Sequence, residues 1–177
     1  MQNGSPEPVP RFWLDADVLI QAKNGLYSFE IAPPFWSFLD EQARLGKIRS
    51  STKIYDEILK REDEKDKLTL WVKNRKTSGM FVAPAKEKDV QKVYGEIADY
   101  TMEKYSQRRP KVNAFLSGAD GWIIAHAKCD GGTVVSHESR VDRTSMTPKI
   151  PNICTQFGVP CIGLADMLTR LGFKFGK

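Results

Sequence analysis

Four acidic residues lie beside predicted β-strands in a pattern that suits metal chemistry. Asp15 directly follows the apolar run FWL, and Asp120 begins an apolar helical pattern that leads into a later strand. Glu57 lies in the helix after the second strand, and Glu138 lies two residues beyond Ser136, the end of the fourth. Since the carboxyl ends of parallel strands open on one edge of a sheet, we expect these side chains to line one crevice.

Clustered carboxylates without histidine favour a hard divalent cation. Mg²⁺ takes a few carboxylate ligands and keeps several waters. The chain has two histidines, His126 and His137, without the spacing of a zinc site. The pattern therefore predicts a Mg²⁺ or Mn²⁺ site for phosphoryl chemistry, in which the metal lowers the pKa of a bound water and stabilises the leaving oxygen.

Each acidic residue also has a structural explanation. Asp15 or Asp17 could cap the N-terminus of the following helix. The segment 117–120, SGAD, matches a capping box. Glu57 could lie on a solvated helix face, and Glu138 could face water in a polar loop.

The elements that must position these residues are five short apolar segments separated by helical patterns. Non-alternating strands of this kind predict a parallel sheet covered by helices on both faces. We expect a helix to begin near 117, after a basic, proline-broken segment at 104–111. We expect the mixed-charge run 60–67 to be a solvated helix face. The predicted strands are the run before Asp15, then 47–50, 80–83, 133–136 and 159–162.

Composition limits the class of protein. With 177 residues, 41% of them hydrophobic, the chain is predicted to form one globular domain over residues 11–177, after a loose leader at 1–10. Three cysteines without C-x-x-C spacing exclude a disulfide framework and a zinc ribbon, and favour the reducing cytoplasm. No apolar stretch is long enough to span a membrane, and the opening residues lack the basic-then-apolar order expected of a signal peptide.

The net charge of +5 is concentrated in the second part of the chain. Residues 1–100 hold 16 basic and 16 acidic side chains, whereas residues 101–177 hold 11 and 6. A local excess of this kind could bind a polyanion, although it could also serve solubility. The candidate contacts to RNA phosphates are Arg108, Arg109, Lys111, Arg140, Arg143 and Lys149.

Taken in order, these motifs resemble the PIN-domain nucleases. The resemblance covers roughly residues 11–173 and includes LDADVLI, GADGWIIAHA and VVSHES. It is closest to a PIN subfamily catalogued as a domain of unknown function, with LD-x-N-x-LI-x-AKN-like, AD-x-W-x-IAHA-like and KIP-x-x-C motifs. Here these lie at Leu14–Asn24, Ala119–Ala127 and Lys149–Cys154.

The resemblance implies a three-layer α/β/α sandwich with a five-stranded parallel sheet. It implies that Asp15, Glu57 and Asp120 are the principal metal-binding and catalytic residues. Glu138 takes the fourth position, often an aspartate, and Ser136 matches a neighbouring Ser or Thr. The family usually has an uncharged polar residue where this chain has Asp17, so a further metal ligand there is an additional hypothesis.

The resulting prediction is a cytoplasmic, Mg²⁺- or Mn²⁺-dependent endoribonuclease. Many family members are toxins of type II toxin–antitoxin pairs, which implies an RNA substrate and a cognate antitoxin. Family members commonly form dimers, so a homodimer stays open, although no single apolar stripe requires one.

Two alternatives stay open. Asp15-Ala-Asp17-Val-Leu is similar to the opening motif of haloacid dehalogenase-like phosphatases, in which Asp15 would be the nucleophile and Asp17 the general acid. The lysine and paired acids of that family have no convincing match. The other alternative is a catalytically inactive PIN-like module that binds RNA or protein.

Overall fold

A parallel β-sheet forms the centre of the protein. The computed structural model describes residues 11–138 and 140–175, so the predicted leader lies outside the described residues. Five strands pair in the order β3-β2-β1-β4-β5, and all of the pairs are parallel. The predicted fold class is therefore confirmed. The strands are β1 (Phe12–Leu14), β2 (Ile48–Ser51), β3 (Phe81–Val82), β4 (Thr133–Val135) and β5 (Cys161–Ile162).

Helices flank the sheet in a three-layer α/β/α arrangement. α7 contacts three of the strands and packs along α5. Within the described ranges the helices are α1 (Ala16–Asn24), α2 (Pro33–Arg44), α3 (Thr52–Arg61), α4 (Lys67–Lys73), α5 (Lys88–Lys104), α6 (Arg109–Ser117), α7 (Asp120–Asp130), α8 (Ile150–Gln156) and α9 (Leu164–Arg170).

The strand order creates one crevice at the carboxyl edge of the sheet. β1 and β4 lie at its centre, and Leu14, Val134 and Val135 are fully buried because helices cover both faces. The chain passes from β1 outward to β2 and β3, and then returns to add β4 and β5 on the other side of β1. Such a reversal leaves a gap between the connections that follow β1 and β4, where ligands bind in open α/β sheets.

Residues 109–117 form a helix that the sequence did not predict. Pro110 lies in the first turn of α6, where its missing N–H costs no hydrogen bond, and Val112 and Phe115 bury one helical face. The predicted capping box does not form. α7 begins at Asp120 without a side-chain cap, and the Ser117 hydroxyl donates to the carbonyl of Ala114 in α6.

The mixed-charge run 60–67 is mostly exposed, but the prediction of a helix face was wrong, because residues 62–66 connect α3 to α4. The Lys23 ammonium in α1 donates to Glu62, and to Asp66 at 3.0 Å. The Lys23 and Glu62 side chains are each only 14% exposed. Asp66 also caps α4 by accepting from the backbone N–H of Leu68. These charges connect α1 to the end of α3 and the start of α4.

The three cysteines are free thiols. Among the residues that the structure describes, no helix has the length and apolar character needed to cross a membrane.

We predict that Lys23→Met destabilises the protein far more than Lys67→Met does. The first change leaves two half-buried carboxylates without their cation, and should lower the free energy of unfolding by about 2–3 kcal/mol. Lys67 pairs with Glu30 at the surface, where both side chains are about 60% exposed, and its loss should cost less than about 1 kcal/mol. Urea denaturation of both variants measures the difference, and equal losses would contradict this account.

Candidate active site

A pocket of about 360 Å³ opens at the carboxyl edge of the sheet. α1, α3, α7 and the segment after β4 each supply acidic side chains to it. The structure therefore brings together every acidic residue that the sequence singled out, together with the supporting serine. The polar residues lining the pocket are Asp15, Asp17, Glu57, Asp120, Glu138, Ser136, Thr147, Lys111 and Lys149.

Asp15 is the buried floor of this pocket, with only 4% of its surface exposed. Its backbone N–H continues the sheet by donating to the carbonyl of Val135 at 3.0 Å. Oδ1 accepts from the N–H of Ala16 at 2.7 Å, so Asp15 also caps α1. Oδ2 has a hydroxyl contact to Ser136 at 3.4 Å, which is long for an O–H···O hydrogen bond. This oxygen can therefore still accept a ligand.

Burial raises the pKa of Asp15 well above its usual value. The negative charges of Asp120, Asp17 and Glu57 raise it further, and only the N–H of Ala16 acts in the opposite direction. A carboxylate in this environment is stabilised by any cation that reaches it.

The pKa of Asp120 is raised to about 7, again chiefly by burial. The charges of Glu57, Asp17 and Glu138 add to the effect, and Arg61 partly offsets it. Like charges that shift each other's pKa values in a pocket are typical of functional sites.

Arg61 is a site residue that the sequence reasoning missed. Its Nη1 lies 2.8 Å from Oδ1 of Asp17 and 3.0 Å from Oε1 of Glu57. Arg61 follows Glu57 by four residues in α3, a spacing that places both side chains on one helix face. That spacing could have revealed the pair with Glu57, but the contact with α1 depends on the tertiary fold.

The donor set fits a hard divalent cation. The ionisable lining consists of carboxylates and lysines, without histidine or cysteine, and Mg²⁺ and Mn²⁺ favour carboxylate oxygen. Within residues 11–138 and 140–175, no three candidate ligands are arranged to hold an ion. Glu57 is paired with Arg61, and the exposed Glu138 is paired with Lys149 at 3.4 Å. A third carboxylate ligand would have to leave one of these pairs.

Of the residues predicted to bind phosphate, some line the pocket and the others lie outside it. Lys111 in α6 and Lys149 before α8 line the pocket. The four arginines of that prediction are exposed and do not line it. They are Arg108, Arg109, Arg140 and Arg143.

The fold and the pocket define an α/β protein with an acidic crevice at the carboxyl edge of its sheet. Residues 12–175 match the family described as "Domain of unknown function (DUF4411)", and the chain belongs to that family. No curated protein and no solved structure matches the chain.

We predict that Asp120→Asn changes how stability depends on pH when chelator is present. Because the folded protein raises the pKa of Asp120 from 3.8 to about 7, it binds this proton more tightly than the unfolded chain does. Wild type therefore loses stability as pH rises through that interval, and the variant lacks this loss. Between about pH 4 and about pH 8, the variant should gain on the order of 3 kcal/mol relative to wild type.

Urea denaturation at both pH values measures this gain. Asp166→Asn is a matched control. Asp166 lies in the first turn of α9, as Asp120 lies in the first turn of α7, but Asp166 is exposed. A stability difference between Asp120→Asn and wild type that stays constant with pH would contradict the electrostatic account of the pocket.

Proposed function

We propose that this protein is a metal-dependent endoribonuclease of the PIN type. The observation that carries the proposal is the meeting of Asp15, Glu57, Asp120 and Glu138 in one pocket beside β1 and β4. These residues have the types and chain order that the resemblance to PIN-domain nucleases implies. Their crowded negative charge is suited to a divalent cation.

In this proposal Asp15, Glu57 and Asp120 would hold the metal ion. Bound Mg²⁺ or Mn²⁺ would polarise the scissile phosphate and lower the pKa of a bound water. Asp15 is held by its cap of α1, and its Oδ2, with only a long contact to Ser136, would be the oxygen ligand. Glu138 is exposed at the rim, where it can orient the attacking water.

Lys111 and Lys149 supply positive charge to the same pocket. An RNA phosphate that enters it would meet these ammonium groups together with the acidic residues. Lysines in this position compensate the charge of the RNA backbone without reading its sequence. The exposed arginines Arg108, Arg109, Arg140 and Arg143 would extend the contact to neighbouring phosphates.

The ion pair between Asp17 and Arg61 weakens the phosphatase alternative. That mechanism requires Asp17 to act as general acid toward the substrate, whereas its Oδ1 already contacts the guanidinium of Arg61 at 2.8 Å. The resemblance extends the nuclease proposal to a cytoplasmic toxin, restrained by a cognate antitoxin and able to form a homodimer.

We predict that the protein cleaves a mixed RNA pool with Mg²⁺ or Mn²⁺ and does not cleave it with EDTA. Asp120→Asn should lower the rate at least about 100-fold, because it removes a charged metal ligand from the site. Asp166→Asn should cleave as wild type does. Cleavage that survives both EDTA and Asp120→Asn would overturn the proposal, and RNA binding without cleavage would favour the inactive module.

We also predict that Lys111→Ala and Lys149→Ala weaken RNA binding in a salt-dependent way. Each loss of a phosphate contact should lower the slope of log affinity against log salt concentration by about 1. Fluorescence anisotropy with a labelled RNA in Ca²⁺ buffer measures the slope. Arg170→Ala, which changes an exposed residue at the end of α9, is the control. Unchanged slopes in both lysine variants would remove these residues from the RNA site.

A further inference from the structure

The acidic side chains of the pocket fall into two groups by their ion pairs. Arg61 pairs with Asp17 and Glu57, and Lys149 pairs with Glu138. Among the described residues, Asp15 and Asp120 form no ion pair. Asp15 and Asp120 therefore carry two formal negative charges without an ion-pair partner, and one divalent ion carries an equal positive charge. The single charge of Arg61 is shared between Asp17 and Glu57.

Burial is also the main cause of the raised pKa of both Asp15 and Asp120. Asp15 is nine-tenths or more buried, and its Oδ2 has only the long contact to Ser136. Both carboxylates line the same pocket, which opens to solvent. Mg²⁺ and Mn²⁺ are commonly bound by one or two carboxylates with water completing the shell, so these two residues form a sufficient core for one ion.

A second divalent ion would have to compete with the guanidinium of Arg61 for the carboxylates of the pocket. The guanidinium of Arg61 contacts both Asp17 and Glu57, the two carboxylates that α1 and α3 contribute beyond Asp15. Nη1 of Arg61 contacts both carboxylates, so it can release Glu57 to an ion and still keep Asp17. This arrangement also explains the negative charge at position 17, because Asp17 serves as the retained partner of Arg61.

We propose that Arg61 is an internal counter-ion that positions Asp17 and Glu57 and limits this pocket to one divalent ion. The proposal rests on the metal-dependent function proposed above. It makes Asp17 a partner of Arg61 and not a metal ligand. Arg61 acts through the carboxylates that it contacts, so it is a positioning residue.

The test counts bound Mn²⁺ per chain by electron paramagnetic resonance of the free ion, without RNA and without an activity measurement. Wild type should bind one Mn²⁺ in the pocket, and Arg61→Gln should bind two. Arg61→Lys keeps the positive charge and should bind one. Arg44→Gln is the matched control, since Arg44 pairs with Glu41 within α2, is 70% exposed and lies outside the pocket. It should bind one.

The outcomes separate this inference from the proposed function. Two Mn²⁺ ions in wild type, or one in both wild type and Arg61→Gln, would overturn the role of Arg61 while leaving a metal-dependent enzyme in place. Two ions in Arg61→Lys would also overturn it, because charge would then not be what excludes the second ion. No Mn²⁺ binding in any variant would overturn the metal-dependent function itself. Thermal unfolding of each variant checks that it is folded. If Arg61→Gln is not folded, Arg61→Lys keeps the test valid.

Discussion

The buried carboxylate of Asp15 is the constraint on which the site depends. β1 carries it to the centre of the sheet, where its backbone N–H pairs with Val135 and its side chain caps α1. These contacts hold Asp15 in place, so its carboxylate stays buried. Asp120 approaches from α7, and its charge raises the pKa of Asp15. The fold therefore places in one pocket two carboxylates that have no ion-pair partner among the described residues, and a divalent cation would relieve their repulsion.

The ion pairs that position the pocket carboxylates also join helices to each other, so they contribute to the stability of the fold. α1 carries Asp17 and Lys23, and both pair with residues at or just beyond the end of α3. Lys23 binds carboxylates away from the pocket, whereas Arg61 binds the partly buried carboxylates of Asp17 and Glu57, which line it. The contact between α1 and the end of α3 therefore has two roles. Through Lys23 it stabilises the packing of the helices, and through Arg61 it positions Glu57. A change at this contact should affect both stability and the position of Glu57.

The sheet and its acidic edge could be predicted from the sequence because both depend on local patterns. Short apolar runs mark the strands, and a parallel sheet collects the residues that follow them at one edge. The ion pair between Arg61 and Asp17 could not be predicted, since it joins two helices whose packing no local pattern specifies. α6 was missed because Pro110 and Gly118 bound a segment with only two buried side chains, Val112 and Phe115. Ser117 matched a capping motif, yet its hydroxyl is used inside α6.

The most direct test of the central claim is a crystal structure of the protein soaked in Mn²⁺, with anomalous scattering used to locate the ion. The account predicts an anomalous peak in the pocket, bound by the carboxylates of Asp15 and Asp120, with Arg61 still paired to Asp17. An ordered, solvent-accessible pocket without a peak at saturating Mn²⁺, or a peak bound only by residues elsewhere on the surface, would contradict it.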